Sequence, residues 1–383
     1  MMPLICSPTM ASRRISAGLF LLVTAIAHAP AASAQSDESA LEQLWSRATL
    51  FEGDGDSVID AITLSGRVQT DLVRVESNAG QLSDSDLRRL RMGVKIDFLD
   101  KFRFHAEAEY DPNGGDLNYK RLTDTYFSWN HSDAVNVTIG KHGAAFTLDG
   151  QTSSKSLLTI DRSNLTNNIW FTEEYIPGIS VGGEKGGIIY NVGVFSSGER
   201  DRGFGDSNGG EFVLTTIGHD FADRLGANRA LLRFNHVDND PDPLNSFTRD
   251  LEEVNSLNFI YEKNRWGLMA DVAAATGYLG QSDLEGFTLT PFFTLKPELQ
   301  FVARYTHLDS DDINGIRFPR YTRDVAAGRG DEYREIYLGM NYFINGHKLK
   351  IQNGIEYSDM HDTAADGGEY TGWTWTTGFR LSW

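Results

Sequence analysis

The residues in this chain best suited to chemistry are bases set two apart. Arg67, Arg89, Arg91, Lys95 and Arg103 fall on the polar parity of three successive segments, and Lys141 comes two segments later. Lys155 and Arg162 follow in a long stretch without alternation. Basic side chains converging on a narrow wet path replace part of an anion's hydration and lower the barrier to its passage. Arg can hold two oxyanion oxygens at once, whereas Lys acts as a point charge. The same bases could instead pair with Asp71, Asp97, Glu107 and Glu109 at neighbouring polar positions. Catalytic groupings are weak, because His105, His142, His236 and His307 are scattered. A barrel enzyme would need a Ser and a His close together on its outer wall. There is no cysteine pair and no clear metal-ligand spacing, and no cofactor is expected.

The elements that position these bases read as strands. Leu90, Met92, Val94, Ile96 and Phe98 alternate with Arg89, Arg91, Gly93, Lys95 and Asp97, and Phe102, Phe104, Ala106 and Ala108 alternate with Arg103, His105, Glu107 and Glu109. Period-two alternation places one set on each face of a strand. Ionised residues on one face require that face to be wet. Sixteen such segments are predicted: 62–75, 87–98, 101–110, 121–130, 134–142, 178–184, 187–195, 211–219, 228–237, 253–262, 266–276, 284–293, 298–308, 333–343, 347–357 and 370–383. Tight gaps such as 99–100, 131–133 and 185–186 alternate with long ones at 76–86, 111–120, 143–177, 196–210, 238–252, 309–332 and 358–369. The connection at 220–227 is longer than this pattern asks, and the one at 277–283 shorter. Short turns on one side and long loops on the other fit a transmembrane antiparallel β-barrel, and sixteen strands leave room for an aqueous channel.

The ends agree. Trp373, Trp375, Phe379, Leu381 and Trp383 share one parity of the last segment, and Thr374, Thr376, Arg380 and Ser382 the other. Such an edge is safe once a barrel closes. Arg13 and Arg14, the apolar stretch from Ile15 to Ala27 and the small residues Ala32-Ser33-Ala34 read as a signal peptide over 1–34. A short polar helix over Ser39 to Ala48 and a Gly/Asp-rich linker are predicted within a periplasmic extension at 35–60, ahead of the barrel at 61–383. Cys6 would leave with the signal. The chain carries 35 bases and 53 acids, and 33 bases against the same 53 acids without residues 1–34, a formal charge of −20. That excludes a basic nucleic-acid binder. Many acids, such as Asp238, Asp240, Asp309, Asp311 and Asp362, cluster in candidate loops and suit divalent cations of a lipopolysaccharide surface.

Several motifs then carry a resemblance. Arg91-Met92-Gly93-Val94, Leu122-Thr123-Asp124-Thr125-Tyr126, Ile139-Gly140-Lys141, Phe146-Thr147-Leu148-Asp149, Thr152-Ser153-Ser154-Lys155 and the run Tyr342 to Lys350 resemble the phosphate-selective porin O/P family, from about Ile62 to Trp383. The resemblance implies a homotrimer of sixteen-stranded barrels in the bacterial outer membrane. It implies that the third long loop, 143–177, folds inward as a constriction, and that small anions such as phosphate diffuse past pore-lining bases. On that expectation Arg67, Arg89, Arg91, Lys95, Arg103, Lys141, Lys155 and Arg162 form the anion path. A general or cation-preferring porin, a barrel enzyme and a plugged adhesive barrel are the alternatives.

Overall fold

A computed structural model describes residues 41–383 except 44, 114–116, 170–173, 199–202 and 246–247. The leader expected at 1–34 lies outside the described residues. The chain divides into a unit ending at Ser46 and a unit from Arg47 to Trp383. In the first, residues 41–43 and 45–46 are helical.

The second unit is a strand meander. Its strands are β1 (Thr49–Glu52), β2 (Ile59–Ser77), β3 (Gln81–Phe98), β4 (Phe102–Asp111), β5 (Asn118–Ser132) and β6 (Val135–Gly143). They continue as β7 (Tyr175–Lys185), β8 (Ile188–Ser196), β9 (Glu211–Asp220), β10 (Arg229–Asn239), β11 (Leu251–Lys263) and β12 (Trp266–Gly277). The last are β13 (Leu284–Lys296), β14 (Leu299–Ser310), β15 (Glu332–Asn345), β16 (Leu349–His361) and β17 (Tyr370–Ser382). Each strand from β2 onward pairs antiparallel with the next, and β17 pairs with β2 from Gly372↔Ser77 to Ser382↔Arg67. That last ladder closes a sixteen-stranded barrel and removes the free edges. All sixteen predicted segments are strands of this barrel.

β1 is the strand that alternation did not reveal. It pairs with residues 61–63 of β2, on the edge that β17 leaves at Ser382. Leu64 N donates to Ala48 O at 2.7 Å, while Gly66 and Trp383 exchange backbone bonds at 3.2 Å. β1 and β17 thus lie end to end along β2. The stretch 76–86, expected as a long loop, is instead a tight hairpin: β2 runs to Ser77, β3 starts at Gln81, and Ser77 N donates to Gly80 O at 3.0 Å. Serines and aspartates there lack a hydrophobic face because β2 and β3, 19 and 18 residues long, exceed the ~10 residues a membrane strand needs.

Burial follows the alternation. Arg67, Gln69 and Asp71 are buried on the inner face, while Leu64 and Leu72 are exposed on the outer one. In β17, Thr374, Thr376 and Arg380 are buried and Trp373, Trp375 and Phe379 exposed. The interior is not uniformly polar. One apolar cluster joins Phe146 and Leu165 of the β6–β7 loop and Ile316 and Phe318 of the β14–β15 loop to inward Phe212, Val237, Val254 and Leu284 of β9–β13.

Candidate functional site

The β6–β7 connection, residues 144–174, carries two short helices, α1 (Leu148–Gln151) and α2 (Asn164–Ile169). Its side chains and backbone bond to inward residues around much of the barrel. Leu148 N donates to Asp271 of β12 at 2.8 Å, and Gln151 donates to Asn235 of β10 at 2.7 Å. Further along, Arg304 of β14 donates to Asp161 O at 2.8 Å and Lys350 of β16 to Leu157 O at 2.7 Å. Arg67 of β2 donates to Ser154 Oγ at 2.7 Å. These partners are inward-facing residues of strands from β10 round to β2.

Beside it, against β3–β5, lies a cavity of about 440 Å³. A bulge in β3 builds part of its wall. Gln69 opposes Arg89 but Asp71 opposes Asp86, so two residues, Leu87 and Arg88, face Thr70 alone and β3 carries one residue more than β2 there. A bulge redirects side chains; here Arg88 and Arg89, though adjacent, both line the cavity. Lys120 and Arg121 add charge from β5, and Arg162 from the β6–β7 loop. Arg249 comes from the β10–β11 loop, and Arg317, Arg320 and Arg323 from the β14–β15 loop. Nine bases therefore line it against three acids, Glu109, Asp161 and Glu174, a formal excess of +6. The acids are engaged. Glu109 meets Arg91, Lys120 and Arg121 at 2.7, 3.2 and 3.3 Å. Asp161 accepts from Arg88 at 2.9 Å. Burial alone would raise the Asp161 pKa, but the charges of Arg88 and Arg89 outweigh it and hold the carboxyl well below its usual range. Glu174, paired with Arg162, is held low in the same way against its own burial, by Arg162 and Arg91. Among the described residues Arg89, Arg317 and Arg323 have no carboxylate partner; Arg89 donates only to Gln69 Oε1, at 2.8 Å.

Of the eight bases singled out in the sequence, Arg89 and Arg162 line this cavity. Arg91, fully buried, bonds Glu109 at 2.7 Å and Tyr175 Oη at 2.6 Å, and Arg67 reaches Glu107 at 3.4 Å. Both are thus paired with acids on the inner wall. Arg103 is tied to Asp97 at 2.6 Å, next to the β3–β4 turn, and Lys95 lies half-buried on the same wall. Lys141, expected at the loop mouth, is buried and donates to Gly203 O at 2.8 Å. Lys155 donates to Trp383 O at 3.0 Å, and burial, reinforced by Arg67, lowers its pKa to about 8. The eight do not converge on one point. Arg88, Arg317, Arg320 and Arg323 were missed, and only the bulge and the path of the β14–β15 loop bring them in.

Two other groupings bring together chemistry-bearing side chains. Ser65 Oγ and His105 Nε2 are 3.0 Å apart, with Asp124 4.0 Å from the other ring nitrogen. The serine is 2% exposed, lies on the inner wall, and its hydroxyl is also 3.4 Å from Glu107 Oε2. Among the described residues one group has metal-ligand spacing, His307, Asp309 and Glu332. His307 is already paired with Asp309 at 2.6 Å and Glu332 with Arg334.

Residues 62–259 match the phosphate-selective porin O and P family. The chain belongs to that family. It is a porin of the bacterial outer membrane, and its solved structural neighbours have the same barrel. An anion-selective porin from Comamonas acidovorans is 15% identical, with a TM-score of 0.58 over 84% of this chain and 99% of that one. OprB of Pseudomonas putida is 11% identical, with a TM-score of 0.59 over 84% and 94%. OmpF of Salmonella typhi, solved with daunomycin, is 13% identical, with a TM-score of 0.58 over 84% and 98%. No curated protein matches this porin significantly in sequence.

Proposed function

We propose that this porin passes small inorganic anions, phosphate among them, by passive diffusion, and catalyses no reaction. The observation that carries the reading is the cavity lined by nine bases and three acids in a chain of formal charge −18. Its acids are spoken for, while Arg89, Arg317 and Arg323 have no carboxylate partner among the described residues. A weakly hydrated guanidinium at several successive positions suits conduction, which needs several weak sites rather than one tight one. The anion-selective porin among the structural neighbours and the family's own description agree with it. The β6–β7 loop is the constriction in this reading, because it occupies the interior beside the cavity. The Ser65–His105 contact is then a wall contact.

The reading includes a homotrimer, set in a lipopolysaccharide leaflet that the acidic loops meet through divalent cations. A polar patch on the outer wall supports the trimer: Asn353 donates to Thr377 at 2.6 Å, and Trp375 donates to Asn353 at 3.3 Å. Polar side chains at that level are better covered by another copy than by acyl chains. Chemical cross-linking in native membranes should give a three-subunit band. The decisive experiment for the ion path is single-channel recording in a planar bilayer under a KCl gradient. A zero-current potential on the chloride side, with current reduced by added phosphate, supports the reading. A potassium-side potential without block leaves a general, cation-preferring porin.

A further inference from the structure

We propose that the β14–β15 loop, residues 311–331, is a second selectivity loop, latched across the mouth so that its arginines form the outer steps of the ion path. The inference rests on the anion reading for the sign of the ion, but not for the position of the loop.

Side-chain bonds latch the loop to the wall beyond its own strands. The loop leaves β14 and returns to β15, yet its middle is fastened to β2 and β3. Tyr321 Oη donates to Asp71 Oδ2 of β2 at 2.7 Å, and Arg320 reaches Asp86 of β3 at 2.7 Å. From β15 to β2 is three strand spacings, about 14 Å of wall. Tyr321 packs with Val73 and Val75 of β2, and Val325 joins them. On the inner side the loop is bonded to the β6–β7 segment: Arg317 N donates to Asn168 Oδ1 at 2.8 Å, and Asn164 Nδ2 donates to Arg317 O at 3.0 Å. Ile316 and Gly330 exchange bonds at 2.8 and 3.1 Å, closing the base of the loop. Fixing a loop costs backbone entropy at every residue, and these tertiary contacts offset that cost.

What the latch positions is charge. Arg317, Arg320 and Arg323 recur at every third residue, and all three line the cavity. Exposure falls inward: Arg323 is exposed, Arg320 and Arg317 are half-buried, and Arg89 is buried. An ion coming from solvent would meet the exposed Arg323 before the buried Arg89. Solvated surface arginines would show neither the graded burial nor the anchoring of the backbone between them.

The test compares reversal potentials of the full-length porin in planar bilayers. The double variant Arg317→Gln/Arg323→Gln removes two charges without orphaning an acid, and the expected result is a several-fold drop in the chloride-to-potassium permeability ratio. Arg323→Gln alone, at an exposed position, should give a smaller shift in the same direction and guards against misfolding of the double variant. Tyr321→Phe, which cuts the latch and keeps the ring, should raise open-channel noise. The proposal is overturned if both arginine variants keep the wild-type potential while Arg89→Gln shifts it, an outcome that leaves the anion reading intact. A potassium-side potential in the wild-type protein sinks the anion reading; a further shift toward potassium in the double variant would then still place the loop on the ion path.

Discussion

Replacing Arg89 with Gln should weaken anion preference by an amount that the cavity's size sets. Arg89 has no carboxylate partner among the described residues, so the change strands no acid. A cavity of about 440 Å³, treated as a sphere, has a radius of about 5 Å, which is the distance from a centred ion to the guanidinium. One unit charge at that distance contributes about 0.8 kcal/mol in water, and more where the wall lowers the effective dielectric. Neutralising it raises the energy of an anion and lowers that of a cation equally, so the permeability ratio feels about 1.7 kcal/mol, roughly fifteenfold. Screening at ~0.1 M salt, with a Debye length of about 10 Å, reduces this to about fivefold. The assay is the zero-current potential across a KCl gradient, for wild-type and variant protein on the same day and lipid. A variant potential within error of wild type would refute the reasoning, because no ion passing this cavity could ignore a charge on its wall.

Three further outcomes follow from the same geometry. Arg91→Met should destabilise the barrel by about 1–3 kcal/mol, since Glu109 loses its 2.7 Å partner but keeps Lys120 and Arg121, while Glu107 and Glu174 keep Arg67 and Arg162; an unchanged urea midpoint in micelles would mean that those remaining bases already satisfy the acids. Lys155 has its pKa lowered to about 8, so anion preference should fall as pH rises from 7 to 9, and Lys155→Met should remove that dependence. The sign for stability runs the other way: the unfolded lysine keeps its proton up to its usual pKa, so relieving this buried charge makes the fold more stable with rising pH above about 8. Gly354→Ala would place a methyl 2.3 Å from the Tyr337 hydroxyl and should cost about 1–3 kcal/mol, read as a lowered unfolding midpoint.

Much of the barrel was legible because lipid on one side and water on the other force a strict alternation, and residues such as Leu90 to Phe98 obey it without a break. What alternation cannot carry is whatever departs from period two. The hairpin at 77–81 stands clear of the membrane, so Ser83 and Ser85 need no apolar face, and the strand there is invisible to hydropathy. β1 is four residues long, too short for a period to show. The bulge at Leu87 and Arg88 shifts the inner parity by one step, and nothing in the local sequence marks it; parity therefore points to Arg89 and not to Arg88, though both line the cavity. The loop arginines were missed for a different reason. Where Arg317 and Arg323 point is set by Tyr321 meeting Asp71, 250 residues away in the chain, and by Asn164 and Asn168 on another loop. Arg67 and Arg91 lie on the inner face and pair there with Glu107 and Glu109, a pairing that alternation marks as available but does not assign.

An acidic chain can hold a cationic path only if its acids stay electrically distant, and that makes ionic strength a test of the arrangement. Asp240 and Asp242 lie in the β10–β11 loop, Asp311 and Asp312 in the β14–β15 loop, and Asp362 and Asp366 in the β16–β17 loop, all at the end of the barrel with the long connections. Asp362 is fixed there by backbone N–H groups of residues 365–368, three of them at 3.1, 2.9 and 2.8 Å, from Ala365, Asp366 and Gly368, which keeps it ionised. At ~0.15 M salt the Debye length is about 8 Å, so an ion in the cavity senses the bases that line it more than the acids beyond them. At ~0.01 M it is about 30 Å, and the loop acids add a repulsion at the mouth that an anion must cross. Anion preference should therefore be greatest near physiological salt and decline on dilution. If the acids played no part, dilution would only lengthen the reach of the bases and the preference would strengthen throughout. Reversal potentials at fixed concentration ratio and falling absolute concentration separate the two, and a steady rise would show that the long loops hold their acids clear of the ion path.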